Sequence, residues 1–222
     1  MTTLLMAKND KKVAMNKWIR YGLLVLVIAL LGYNSIYIKK LSDIKQDTSG
    51  KFGVKAFVQK LWKEKLPAKL QTAVTIDTLQ TAIQSNPATA FEKYTHALAL
   101  GNYRYALIKT IAIVNAVNED NVAITLSAAT PVKATLVTEF VYGNALRDAS
   151  GLISLKDFPN TTDLNSISEE LNKIIRQQVV PSFKSSLQPG NKIECIGAVQ
   201  LNKEHIHFND LEIIPVSVKV IS

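Results

Sequence analysis

The sequence is poorest in cysteine: 222 residues hold one, Cys195. A single cysteine excludes an intramolecular disulfide and any cysteine-cluster metal site. Glycine (9) and proline (7) are sparse, which excludes a collagenous or Pro/Gly-rich disordered chain. With 47% hydrophobic residues, general disorder is excluded too. No phosphate-cradling glycine loop, dinucleotide fingerprint or G-x-S-x-G elbow occurs, so no cofactor is expected. No internal repeat or low-complexity segment is present either.

What is abundant is positive charge. The chain has 26 basic and 18 acidic residues, a formal +8. Such a balance ordinarily points to nucleic acid or a membrane surface. Its distribution decides between them. Residues 1–40 hold Lys8, Lys11, Lys12, Lys17, Arg20, Lys39 and Lys40 against Asp10 alone, or +6. Residues 41–222 carry only +2, too little for a groove that tracks a phosphate backbone. No nucleic-acid partner is therefore expected.

Tyr21–Ile38, YGLLVLVIALLGYNSIYI, is eighteen residues without a charge. As a helix it would run about 27 Å, near the hydrocarbon thickness of a bilayer. Trp18, Tyr21, Tyr33 and Tyr37 lie at its edges, where amphipathic rings favour headgroups. The segment reads as an uncleaved single-pass membrane anchor. Gly32–Ile36 is a poor cleavage site, and no cysteine follows the run to accept a lipid. Five basic residues precede it; Lys39, Lys40 and Lys45 follow. That asymmetry favours a cytoplasmic N-terminus in the inner membrane, with the main domain periplasmic.

The expected organisation is a basic cytoplasmic tail (1–20), an anchor (21–38), a tether (39–50), a helical subdomain (51–100) and an α/β domain (101–222). In the helical part, Val54, Phe57, Val58, Leu61 and Trp62 mark one helix, ended by Pro67. Ile76, Leu79 and Ile83 mark a second, capped by Thr75 or Asp77. Asn86-Pro87 opens a third. Strands are expected at Tyr103–Val117, Val122–Ala128, Thr135–Tyr142, Lys192–Leu201 and Leu211–Ile221. Between the third and fourth, a helix capped by Thr162 or Asp163 ends at Pro181. Five strands with one inserted helix is the element order of an OB-like barrel, so the fold class is α+β.

Candidate chemistry is local. His205 and His207 would face the same side of a strand, but two ligands make no metal site. Glu92 and His96, four apart on a helix, read as a surface pair. Arg147 offers a fork of donors for a carboxylate or phosphate. Its bland role is an ion pair with Glu139, while Asp148 caps a turn. Tyr103 with Tyr105, and Phe140 with Tyr142, would be same-face strand aromatics, suited to packing or to stacking on a sugar ring. Asn144, Arg147, Asp148, Asp157, Asn160, Tyr103 and Tyr142 form the tentative ligand set; no catalytic set is legible.

The stretch TEFVYGNALRDASGLISLKDFPNTTDLNSISEELN (138–172) resembles the core signature of a family of predicted periplasmic lipoproteins, domain of unknown function 2291. Its pattern falls on Gly143, Ala145, Arg147, Asp148 and Ala149; then Asp157, Phe158 and Asn160; then Ile167, Ser168, Leu171 and Asn172. Trp62…Leu66-Pro67-Ala68 and the closing GAVQLNKEHIHFNDLEIIPVSV resemble it as well. The resemblance implies a helical subdomain before an OB-like domain, an extracytoplasmic location and an association with sugar ABC-transport components. It implies no activity. Many relatives have a lipobox cysteine that this chain lacks. The expectation is a membrane-anchored binding or accessory protein, with a small sugar as possible ligand. The alternatives are a carbohydrate-active hydrolase using carboxylates near Arg147 and a structural interaction module of the envelope.

Overall fold

The computed structural model describes Trp18, Tyr21, Gly22, Leu24–Val27, and residues 53–128, 131–158 and 160–221. The described residues before 28 are helical and exposed. The span expected at 21–38 therefore lies mostly outside the described residues. Among the described residues no helix is long and apolar enough to cross a membrane.

Residues 48–222 form one compact unit. It begins with α1 (Val54–Lys60), a π-helical turn (Leu61–Lys65) and α2 (Leu66–Gln71). Pro67 does not end this helix, as the sequence suggested. The missing proline N–H is absorbed by the π turn, in which Leu66 N–H donates to Leu61 O, five residues back. Pro181 is accommodated in the same way. There the helix α6 (Thr161–Ile174) passes through a π turn (Ile175–Val179) into α7 (Val180–Lys184), and Val180 N–H donates to Ile175 O.

Local caps set the other helix starts. The Thr75 hydroxyl accepts from Thr78 N–H to start α3 (Ile76–Ser85). Asn86 accepts from Thr89 N–H to start α4 (Pro87–Tyr94). α6 is capped by Asn160, which accepts from Asp163 N–H at 2.9 Å. Thr162 and Asp163, the expected caps, fall inside the first turn, where Asp163 complements the helix dipole.

Among the described residues the sheet has six strands rather than five. The additional one, β1 (Val74–Thr75), is too short to show a period and runs parallel to β2 at Ile108–Lys109. β2 (Tyr103–Val117) bends at a bulge between Val114 and Ala116. It pairs with β3 (Asn121–Leu126) at one end and β5 (Lys192–Asn202) along most of its length. β4 (Val132–Val137) pairs antiparallel with β3 and parallel with β6 (Leu211–Ile221), which returns antiparallel to β5. The pairings close a circuit, β2–β3–β4–β6–β5–β2. Gly197 sits at the β5–β6 bulge because a Cβ there would run into Ile213 Cγ2 and lie 2.7 Å from Ile214 O.

The third strand is shifted from its expected range. Val132, Ala134 and Leu136 alternate into the core, and pairing stops at Val137. Thr138 and Glu139 N–H groups turn away to Asp120 O. Phe140 and Tyr142 are thus exposed loop residues, not a same-face strand pair. Helical and strand residues share one contiguous core, from Val58, Leu61 and Leu66 to Ile108, Ile124 and Ile193.

Candidate functional site

After β4 the chain turns at Gly143, whose φ of +79° falls in the left-handed region open to glycine. It then forms α5 (Ala145–Ala149), a short helix wedged against β2, β5 and α6. This wedge holds three of the expected site residues together. Arg147 Nε donates to Asp148 Oδ1 at 2.7 Å. Asp148 Oδ2 accepts from Asn144 Nδ2 at 2.9 Å and from Leu98 N–H at 3.2 Å. Asn144 Oδ1 in turn accepts from Tyr105 OH at 3.1 Å. The side chains of Arg147 and Asp148 are 8% and 0% exposed. Burying two charges is costly, and only multiple hydrogen bonds offset that cost. Here both carboxylate oxygens are engaged.

The partner of Arg147 is therefore its sequence neighbour, not Glu139, which is exposed. Successive helical side chains diverge, so adjacency alone gave no hint of contact. The length of the arginine lets its Nε swing back. Ser150 supports the same turn, donating to Arg147 O at 2.8 Å and accepting from Leu152 N–H at 3.3 Å. Gly151 follows with φ +60°, and a Cβ there would stand 2.8 Å from His96 Nε2.

α6 supplies the opposite wall. Its apolar face carries Leu164, Ile167, Leu171 and Ile174 into the core. Asn165, Ser168, Glu169 and Asn172 form a second, polar face at three- and four-residue steps, continued by Arg176 in the π turn. Asn172 Nδ2 donates to Gly143 O at 2.8 Å. Arg147 Nη1 donates to Leu164 O at 3.3 Å, and Ser168 Oγ donates to the same carbonyl at 3.2 Å. Arg176 Nη1 donates to Val141 O, and its guanidinium lies 5.2 Å from the Tyr142 ring centre.

Between these walls is an open cleft of about 580 Å³, lined by Asn144, Arg147, Asn165, Glu169, Asn172 and Arg176, with Tyr142 at its rim. A smaller cleft of about 300 Å³ shares Tyr142 and is lined by Phe140, Gln200 and Glu212.

Three of the seven expected residues line the cleft, Asn144, Arg147 and Tyr142, and Asp148 lies behind it, bonded to the first two. The others do not join it. Tyr103 is exposed at the start of β2, and Tyr105 takes the buried position instead. Burial, and then the Asp148 charge, push the Tyr105 phenol above its usual range. Asp157 is exposed in a 3₁₀ turn (Leu155–Asp157), and Asn160 is occupied as the α6 cap. The sequence reading missed Asn165, Glu169 and Arg176 as lining residues. The polar stripe opposite the apolar face of the helix was the signal that marked them.

The remaining candidates stay apart. His205 and His207 lie exposed in a loop. Among the described residues no group of three or more His, Cys, Asp or Glu is placed to hold a metal ion. His96 lies past the end of α4 and exchanges two backbone hydrogen bonds of 2.8 Å with Tyr105. Burial, then Lys69 and Arg104, hold its imidazole below the ordinary 6.5.

Fold and site together define a mixed α+β protein with an OB-fold likeness. An OB-fold protein from Thermotoga maritima, known from a crystal structure, superposes with a TM-score of 0.65 at 23% identity, covering 77% of this chain and 99% of that one. At that identity the likeness concerns the fold alone. No curated protein matches. Residues 26–219 match the model of the predicted periplasmic lipoproteins, domain of unknown function 2291, and the chain belongs to that family. Membership supports an extracytoplasmic location.

Proposed function

We propose that this chain is a membrane-anchored extracytoplasmic binding or accessory protein whose cleft between α5 and α6 takes a small sugar, in the service of a sugar ABC-transport system. The observation that carries this reading is the cleft itself. Amides from Asn144, Asn165 and Asn172 converge beside an exposed aromatic ring, Tyr142, over a floor fixed by buried hydrogen bonds. Amides paired with an aromatic face suit hydroxyls and the C–H face of a sugar ring. In this reading the closed strand circuit is a five-stranded OB-like barrel serving as the rigid mount.

The family description speaks of lipoproteins. In this sequence the one cysteine, Cys195, is buried on β5. Its side chain has no room for a lipid, which supports attachment through the apolar stretch at 21–38 instead.

The hydrolase alternative has little support from Asp148. Its two oxygens serve Arg147, Asn144 and Leu98, leaving none turned toward the cleft as acid or base.

The test uses the full chain in detergent micelles. Thermal unfolding is followed against a panel of mono- and disaccharides, since a ligand of the native state raises the melting temperature. Cross-linking in native membranes then asks whether transporter subunits are neighbours. A panel without any stabilising sugar, together with membranes without a transporter neighbour, would sink the reading.

A further inference from the structure

We propose that the ligand of the cleft is an acidic sugar, a monosaccharide unit bearing one carboxylate, with that carboxylate directed to the spare guanidinium donor of Arg147. This rests on the carbohydrate reading above and names the ligand class.

Arg147 uses Nε for Asp148 and Nη1 for Leu164 O, which leaves Nη2 without a protein partner. Its side chain is more than nine-tenths buried, yet it lines the cleft. Among the described residues, the one sealed side-chain polar atom without a partner is Thr138 Oγ1. The spare nitrogen of Arg147 is therefore not sealed: it opens onto the cleft. A buried guanidinium with a free donor edge is suited to a carboxylate oxygen.

Arg176 adds a second charge. One of its nitrogens meets Val141 O, and none of the ion pairs among the described residues includes it. The Tyr142 ring lies beside its guanidinium.

Local charge disfavours a dianion. Asp148 pairs with Arg147 and Glu169 offsets Arg176, so the groups around the cleft sum to zero. One carboxylate on the spare Arg147 donor is better accommodated there than a phosphate dianion. The rest of the lining fits a ring with hydroxyls. Asn172 keeps its carbonyl oxygen free after its Nδ2 is spent on Gly143 O, and Asn165 is exposed.

Isothermal titration of the full chain in detergent micelles at low salt reads this directly. The probes are galacturonate and glucuronate, the matched neutral sugars galactose and glucose, glucose 6-phosphate, and acetate. The uronates are expected to bind at least about tenfold tighter than their neutral counterparts, as a charge-assisted hydrogen bond would give. Raising the salt should narrow that gap. Arg147→Lys, checked by its melting curve, keeps the charge and removes the fork, and it should lower the uronate-to-neutral ratio about tenfold. Arg176→Gln should lower that ratio a few-fold and Glu169→Gln should raise it a few-fold.

Neutral sugars binding as tightly as uronates would overturn the acidic-sugar assignment and leave the carbohydrate reading standing. Tighter binding of the phosphate ester would overturn it too. Acetate binding as tightly as a uronate would remove the sugar from the proposal. Binding of none of the probes would overturn both readings.

Discussion

The floor and the rim of the cleft differ in kind. The floor, Arg147, Asp148, Asn144 and Tyr105, is a chain of hydrogen bonds between side chains that are buried or, at Asn144, half-buried. The rim, Tyr142, Asn165 and Glu169, is exposed and makes few bonds within the protein. Buried charges and amides bonded to one another are fold determinants first, because each depends on its neighbour remaining in place. Exposed polar groups around a fixed floor are free to bind something else. The motif that the sequence displays most plainly therefore mostly builds the site, and the less visible helix face carries most of its contact surface.

The largest effect that tests this contrast is Asp148→Ala. It strands a buried guanidinium, and unfolding free energy should fall by about 3–5 kcal/mol in chemical denaturation. A loss under 1 kcal/mol would mean that the floor is not a structural keystone. Asn172→Ala removes the bond to Gly143 O and should cost about 1–2 kcal/mol. Tyr105→Phe keeps the ring and loses only the bond to Asn144, so about 1 kcal/mol is expected. At the rim, Asn165→Ala should change stability by less than about 0.5 kcal/mol while lowering sugar affinity. A rim substitution as damaging as those of the floor would erase the distinction.

The smallest effect is a pH dependence. The His96 imidazole, beside Gly151, has its pKa held below 6.5. As pH falls past 6.5 the unfolded chain takes up its proton before the folded protein does. Stability should therefore decline on acidification and be fully regained above that range. His96→Gln should flatten that part of the stability–pH curve relative to the parent protein. An unchanged slope would assign it to other groups.

How much of this could be read beforehand depended on distance along the chain. Thr75, offered with Asp77, and Asn86 act within four residues, and both were legible as caps. Prolines 67 and 181 misled, because a π turn rescues the missing donor and nothing in the local sequence announces it. The Arg147, Asp148 and Asn144 cluster was legible as a motif. Its partners Tyr105 and Leu98 were not, since strand pairing and chain reversal bring them from about 40–50 residues away. Asn160 was singled out for ligand binding and serves as a cap, a role that Asn fills as readily.

The strand circuit has one weak seam, with a consequence for folding. β4 meets β6 in parallel only across Ala134–Leu136 and Leu211–Ile213. The β2–β5 ladder runs from Tyr103 to Ile113. The seam closes about as long a loop as that ladder but gains far fewer bonds, so its loop-closure entropy is the less well offset. The circuit should zip from the long antiparallel ladders and shut last at β4–β6. In the native state, amides at Ala134–Leu136 should exchange with solvent by a local opening that leaves the β2–β5 ladder protected.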